Sequence, residues 1–286
     1  MLMNMKGLLA VAHANNFAVP AFNTSSNMLL KGVIEASEEK RSPVIVAIHP
    51  DELSFIRPSF VKTVIDEAIK ATVPVCIHLD HGSSLGHIME AIQCGFTSVM
   101  IDASEYPLEE NIKRSRQVVE LAHSVNVSVE GELGTIGTTG PEAEAGSDVI
   151  IYVNPDEVET FVQATNVDSL AIAIGTSHGI YPKDKQPELK LDLLKEIRSR
   201  VDIPLVLHGG SANPDEEIAA AVKLGINKIN ISSDIKDAFY QKCREVLADP
   251  VIREPNSIYP ACIEAMKKVA YYKIALFDAE GKAALY

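Results

Sequence analysis

The chain has 286 residues, 47% of them hydrophobic and 23% charged, which fits an ordinary globular protein and excludes wholesale disorder. Its net charge of −13, from 39 acids against 26 bases, argues against an electrostatic nucleic-acid binder and leaves any anionic ligand to be held by local donors. No apolar run approaches the roughly 18 residues of a spanning helix. The start, Met1 to Gly7, lacks a signal peptide's apolar stretch, and the four cysteines (Cys76, Cys94, Cys243, Cys262) form no C-x-x-C pair, so a reduced, cytoplasmic protein without a membrane partner is expected.

In chain order, a short apolar run ending in small or polar residues recurs eight times, each followed by a stretch with helical spacing. The runs are AVPAFN (Ala18 to Asn23), PVIVAIH (Pro43 to His49), PVCIHLDH (Pro74 to His81), SVMIDAS (Ser98 to Ser104), SVEGELG (Ser128 to Gly134), SLAIAIG (Ser169 to Gly175), PLVLHGGS (Pro204 to Ser211) and KINISSD (Lys228 to Asp234). Their starts lie 24 to 41 residues apart, the pace of a strand, a helix and two loops. Alternation of this kind predicts a parallel sheet with helical crossovers, and the near-continuous apolar strands predict burial on both faces. Eight units predict an α/β fold of the (β/α)8 TIM-barrel type, a single domain over residues 1–286. An open doubly wound sheet would carry a G-x-G-x-x-G turn after its first strand, and AFNTSSN is not one. Asn154-Pro155-Asp156-Glu157 and Asn213-Pro214-Asp215-Glu216 each read as an N-cap, a proline at the first helical position and acids in the first turn. An extra amphipathic helix is expected from Tyr259 to Phe277. The two longest intervals place extended loops over Thr135 to Ser147 and Gly179 to Lys190, where a lid is one reading and a tolerated surface insertion the other.

In a barrel the strand ends converge on one rim. His81 ends the third strand, His178 lies just past the sixth and His208 ends the seventh, each followed by glycine. Three neutral imidazoles with an open position make a catalytic zinc site; the bland alternative is a set of polar residues at the barrel mouth. Asp80 beside His81 could orient a ligand, be one, or act as acid and base, but alternation puts the two on opposite faces unless the strand breaks at Gly82. Asp102, Glu130 and Glu132 bring acids to the same rim; Glu130 and Glu132 share a face, and burial there calls for cationic partners. Gly209-Gly210-Ser211 and Asn230-Ile231-Ser232-Ser233 offer backbone N–H groups to a phosphate, against ordinary turn and cap chemistry. His78, inside its strand, reads as a satisfied core group. Lys228 begins its strand, on the wrong rim for a Schiff base.

HLDHG at His78 to Gly82, SVMIDAS, VEGELG at Val129 to Gly134, AIGTSHG at Ala173 to Gly179, LVLHGGS at Leu205 to Ser211 and KINISSD together resemble the class II, zinc-dependent ketose-bisphosphate aldolases, fructose- and tagatose-bisphosphate branch, nearer the shorter tagatose-type subgroup. The resemblance implies a metal-dependent lyase that reversibly cleaves a ketose 1-phosphate or 1,6-bisphosphate to dihydroxyacetone phosphate and an aldehyde, with zinc stabilising the ene-diolate. It implies His81, His178 and His208 as zinc ligands and Asp80 as acid/base. It further implies Asp102 and Glu132 as an auxiliary cation or polar cluster, and Asn23, Gly179, Gly209, Ser211, Asn230 and Ser233 as the substrate and phosphate site, with a monovalent cation (Na⁺ or K⁺). Glu142 matches the loop proton donor, and a homodimer or homotetramer is implied. Departures from the family pattern are Ala212 after His208-Gly209-Gly210-Ser211, where the family has glycine, Asn230-Ile231-Ser232-Ser233 at the end of the eighth strand, and His49-Pro50-Asp51 after the second. The basic group for a second phosphate is not fixed by motif, with Lys183, Lys185, Lys267 and Lys268 as candidates. The alternatives are a metal-dependent hydrolase on the same barrel, which would want carboxylate or histidine ligands where the first strand ends in Asn23, and a non-catalytic subunit, which should have lost a ligand or Asp80.

Overall fold

A computed structural model describes residues 1–139, 149–181 and 188–286. Its barrel strands are β1 (Val19–Asn23), β2 (Val44–Ile48), β3 (Val75–Gly82), β4 (Ser98–Ile101), β5 (Ser128–Leu133), β6 (Ser169–Ile172), β7 (Leu205–Leu207) and β8 (Ile226–Ile231). Each pairs in parallel with the next, and β8 pairs back onto β1, Lys228 opposite Val19 and Ile231 opposite Phe22, so the sheet closes. Every residue of these strands is buried, as near-continuous apolar runs require when helices cover one face and the barrel interior the other. The fold is therefore the eight-stranded (β/α)8 barrel. The eighth strand sits earlier than the motif suggests: it begins at Ile226 and ends at Ile231, which leaves Ser232 as the cap position of the following helix.

The helices are α1 (Met5–Ala14), α2 (Asn27–Glu39), α3 (Pro50–Ile56), α4 (Ser59–Lys70), α5 (Leu85–Cys94), α6 (Leu108–His123), α7 (Pro155–Thr165), α8 (Leu191–Arg200), α9 (Asp215–Lys223), α10 (Ser233–Val246) and α11 (Pro255–Leu276). Local chemistry sets several starts. Ser26, Ser84 and Asn154 each accept a backbone N–H of the first turn, satisfying a donor that the helix itself leaves unpaired. Asn213 does not do this. Helix α9 starts at Asp215, and the Asn213 amide turns back to donate to the Gly209 and Ser211 carbonyls at 2.6 and 3.0 Å.

Helix α1 buries Met5, Leu8, Leu9 and Ala12 against the N-terminal ends of the strands; Lys6 N–H donates to Ser128 at the start of β5. It closes the bottom of the barrel, so the C-terminal rim is where side chains meet solvent. Helix α11, four residues longer at its start than expected, packs on α2 and α10. Among the described residues, no helix is long and apolar enough to cross a membrane.

Candidate active site

Asp80 and His81 do reach the site together, and the backbone shows how. The break lies at His81 itself, which has φ +53°, rather than at Gly82. The β3–β4 register shifts between Leu79 and Gly82. A β-strand side chain at 81 would point outward; the left-handed turn, costing on the order of 1 kcal/mol, swings it inward. His208 follows β7 and is fully buried. His178 is carried by a two-residue strand, Ser177–His178, that pairs in parallel with Gly137–Thr138 above the barrel. The three sequence-predicted histidines thus converge. The His81 ring centroid lies 4.6 Å from that of His208 and 4.9 Å from that of His178, and one nitrogen from each falls within 4.8 Å of the others.

The far nitrogen of two of these rings is committed. His81 Nδ1 bonds Asp102 Oδ2 at 2.9 Å, and His208 Nε2 donates to Glu130 Oε1 at 2.8 Å. A carboxylate accepts, so each ring must present its proton there. The remaining nitrogens, His81 Nε2 and His208 Nδ1, then face one another at 2.8 Å. Two lone pairs cannot share that space without a cation. In the protein alone the cation is a proton: burial opposes a charge on His81, but Asp80 and then Asp102 outweigh it and hold its pKa at about 10. Burial pushes His208 the other way, below the usual histidine range, so His81 donates to it. A metal ion could take the place of that proton with a stronger claim on both nitrogens, and His178 is placed to offer a third ligand.

Acids reinforce the demand. His81, Asp102 and Glu132 form a second group able to hold a cation, sharing His81 with the first. Glu132 Oε2 is buried and takes no partner among the described residues; burial, and then the Asp102 charge, push its pKa well above the usual carboxylate range. The donor set fits a metal.

Asp80 is 1% exposed and held by two amides: Asn23 Nδ2 donates to Oδ2 and Asn230 Nδ2 to Oδ1, each at 2.9 Å. Burial opposes its charge, yet His81, His208 and Lys228 keep its pKa well below the usual carboxylate range. Asn230, expected in the phosphate site, therefore serves Asp80 first. Both amide oxygens, Asn23 Oδ1 and Asn230 Oδ1, are buried and take no partner among the described residues, leaving acceptors beside the carboxylate for ligand hydroxyls. One cavity joins Asp80 and His178 to Gly179, Gly209, Ser211, Asn230, Ser232 and Ser233. Glu142, Lys183 and Lys185 lie outside the described residues. Lys267 is bonded to Glu39 at 2.7 Å and to Glu35 at 3.4 Å, both on α2.

Lys228 escapes a motif-based reading. It is fully buried and crosses the barrel interior from β8, donating to both oxygens of Glu130 at 2.9 and 2.8 Å and to His78 Nε2 at 3.3 Å. His78 Nδ1 in turn bonds Ser98, so His78 is the satisfied core group expected. The signal was present: a lysine two residues from Asn230 on an otherwise apolar strand shares its inward face, and a buried glutamate on β5 needed a cation. His49 caps α3, accepting from Asp51 N–H, and its ring centroid is 6.2 Å from that of His81.

A (β/α)8 barrel with three convergent imidazoles, an amide-held carboxylate and a glycine- and serine-lined cavity at its C-terminal rim defines a metal-type barrel enzyme. The model of the class-II fructose-bisphosphate aldolase family matches residues 3–282, and the chain belongs to that family; it is an aldolase, a carbon–carbon lyase. A fructose-bisphosphate aldolase from Geobacillus stearothermophilus is 41% identical over 290 residues, 99% of each chain being covered. Another from Staphylococcus aureus is 38% identical over 287 residues, again with 99% of each covered. The crystal structure of the YdjI aldolase from Escherichia coli K12 superposes with a TM-score of 0.86 at 34% identity, covering 99% of this chain and all of that one.

Proposed function

We propose that the protein catalyses zinc-dependent, reversible aldol cleavage of a ketose 1-phosphate or 1,6-bisphosphate, giving dihydroxyacetone phosphate and an aldehyde. The observation that carries this reading is the single cavity in which an amide-held carboxylate (Asp80), a metal-type histidine (His178) and a glycine–serine cradle meet. His81, His178 and His208 would hold the zinc. Bound there, zinc supplies a Lewis acid for the ketose carbonyl and for the negative charge that cleavage leaves beside it.

The protein's own groups do the rest. Asp80, kept ionised, takes the proton from the C4 hydroxyl as the C3–C4 bond breaks; in condensation it returns that proton to the aldehyde oxygen. The Asn23 and Asn230 amides fix the carboxylate, and their free oxygens accept the hydroxyls of the sugar. Gly179, Gly209, Ser211 and Ser233 hold the phosphate end through N–H and hydroxyl donors. C3 then takes a proton from a second acid, the role to which the resemblance assigns Glu142. Asp102 keeps the imidazole of His81 oriented, and with Glu132 it would hold an auxiliary cation. The free cysteines suit a reduced cytoplasm, and a homodimer or homotetramer is the assembly suggested by the family resemblance.

The test is release of dihydroxyacetone phosphate from fructose and tagatose 1,6-bisphosphates and their 1-phosphates, with and without a chelator. Chelator-sensitive release, restored by zinc, is expected, and the preferred sugar names the substrate. No release from any of the four by zinc-loaded protein would overturn the proposal.

A further inference from the structure

Helix α11 carries a second buried lysine, and it reaches the loops behind the proposed phosphate cradle. Lys273 is 4% exposed. Its Nζ pairs with Asp234 Oδ2 at 2.7 Å, in the first turn of α10, and donates to the Gly210 carbonyl at 3.3 Å. Asp234 ties back to the same loop: Ala212 N–H donates to its carboxylate and its own N–H to Ser211 Oγ, both at 3.4 Å.

The consequence lies in the peptide between residues 210 and 211. It is trans, so its C=O and N–H point in opposite directions. With the Gly210 carbonyl bonded to Lys273, the Ser211 N–H points away from that ammonium, and Ser211 lines the cavity. That N–H takes no hydrogen bond among the described residues. The neighbouring peptides are fixed the same way round: Asn213 holds the Gly209 and Ser211 carbonyls, and Gly210 N–H goes to the Asn230 carbonyl. The loop thus keeps three carbonyl dipoles on protein donors, and the Ser211 amide is left for an anion.

We propose that Lys273 is a positioning residue of the anion cradle. It touches no substrate, and Asp234 neutralises its charge. It acts by holding the Gly210 carbonyl off the cavity, aiming the Ser211 N–H at the phosphate, and by fixing the first turn of α10. This rests on reading the cavity as the phosphate site. Without Lys273 the 210–211 peptide can turn over and present a carbonyl oxygen to an anion, which repels where an N–H attracts.

The same helix offers a control. Lys267 is as buried as Lys273 but bonds Glu35, Glu39 and Glu264, fastening α11 to α2 without reaching the loop. The experiment uses zinc-loaded full-length protein and measures inorganic phosphate binding by ³¹P line broadening and by competitive inhibition of ketose cleavage. Lys273→Met is expected to raise the phosphate inhibition constant and the KM at least about tenfold, the loss of one well-aimed donor to a charge, with kcat within about threefold. Lys273→Arg should recover most of that loss. Lys267→Met should lose thermal stability with its phosphate constant unchanged. If Lys273→Met does not fold, Lys273→Gln, which keeps polarity but loses the ammonium, takes its place. A phosphate constant within twofold of wild type in the folded Lys273 variant overturns the proposal, as does an equal rise in both lysine variants. If phosphate does not bind the wild-type protein, the cradle reading itself fails, and the Lys273 role fails with it.

Discussion

His81 shows most directly how a single residue is shaped by what surrounds it. Its raised pKa of about 10 means that the metal-free protein carries a proton on this ring throughout the neutral range. Zinc has to displace that proton, so at least about one proton should be released per metal bound at pH 7.5, and apparent affinity should fall about tenfold for each unit of pH lost between 8 and 6. A pH-stat titration and a chelator competition series check both; affinity independent of pH would contradict the site. Asp80→Asn is isosteric but cannot take a proton, and its amide oxygen can accept from only one of the two asparagine amides that hold the carboxylate. It should lower kcat by on the order of 10²- to 10⁴-fold with metal content intact, measured by dihydroxyacetone phosphate release alongside metal analysis. Lys228→Met leaves Glu130 buried without its cation, and breaking a buried pair in this way costs about 3–5 kcal/mol; urea unfolding of the two proteins gives the difference.

At the scale of elements, the site depends on short segments meeting at close range. Gly209 sits at φ +63°, and a Cβ there would fall 2.6 Å from the Ser177 carbonyl oxygen, on the two-residue strand that carries His178. Gly209→Ala should therefore push that strand off its partner, costing about 1–3 kcal/mol in strain and loosening His178, the third proposed metal ligand. Retained zinc after dialysis is the readout: a variant that keeps zinc as well as wild type would separate Gly209 from the metal site. Asn213 belongs to the same logic. Its pattern, Asn-Pro-Asp-Glu, matches that of Asn154, yet the neighbouring loop offers two carbonyls whose need for a donor outranks the cap.

For the whole molecule, the barrel interior is a polar relay rather than an apolar plug: Ser98, His78, Lys228, Glu130 and His208 connect strands β3, β4, β5, β7 and β8. A metal bound at the His208 end of that relay would stabilise the closed barrel as a unit. Zinc at a hundredfold excess over its dissociation constant adds about 2.7 kcal/mol. For a chain of this size each kcal/mol moves Tm by about 2–4 °C, so a chelator should lower Tm by roughly 5–10 °C. Thermal melts with chelator and with zinc restored would show it, and coincident melts would mean that no metal is bound in the native protein.

The sequence by itself determined the eight-unit alternation, and with it the barrel, because strand and helix periodicity are local properties of the chain. It also determined which rim residues could act, since strand ends in a closed barrel must converge. Only the tertiary structure decided how they act. That His81 turns inward is a matter of one backbone angle, that His208 presents Nδ1 follows from Glu130 across the barrel, and that Glu130 is charged follows from Lys228 on a strand 98 residues away. The Asn213 and Lys273 contacts are of the same kind. Each is a hydrogen bond or ion pair between side chains that no local pattern relates, and its partner is chosen by which donors and acceptors folding buries together.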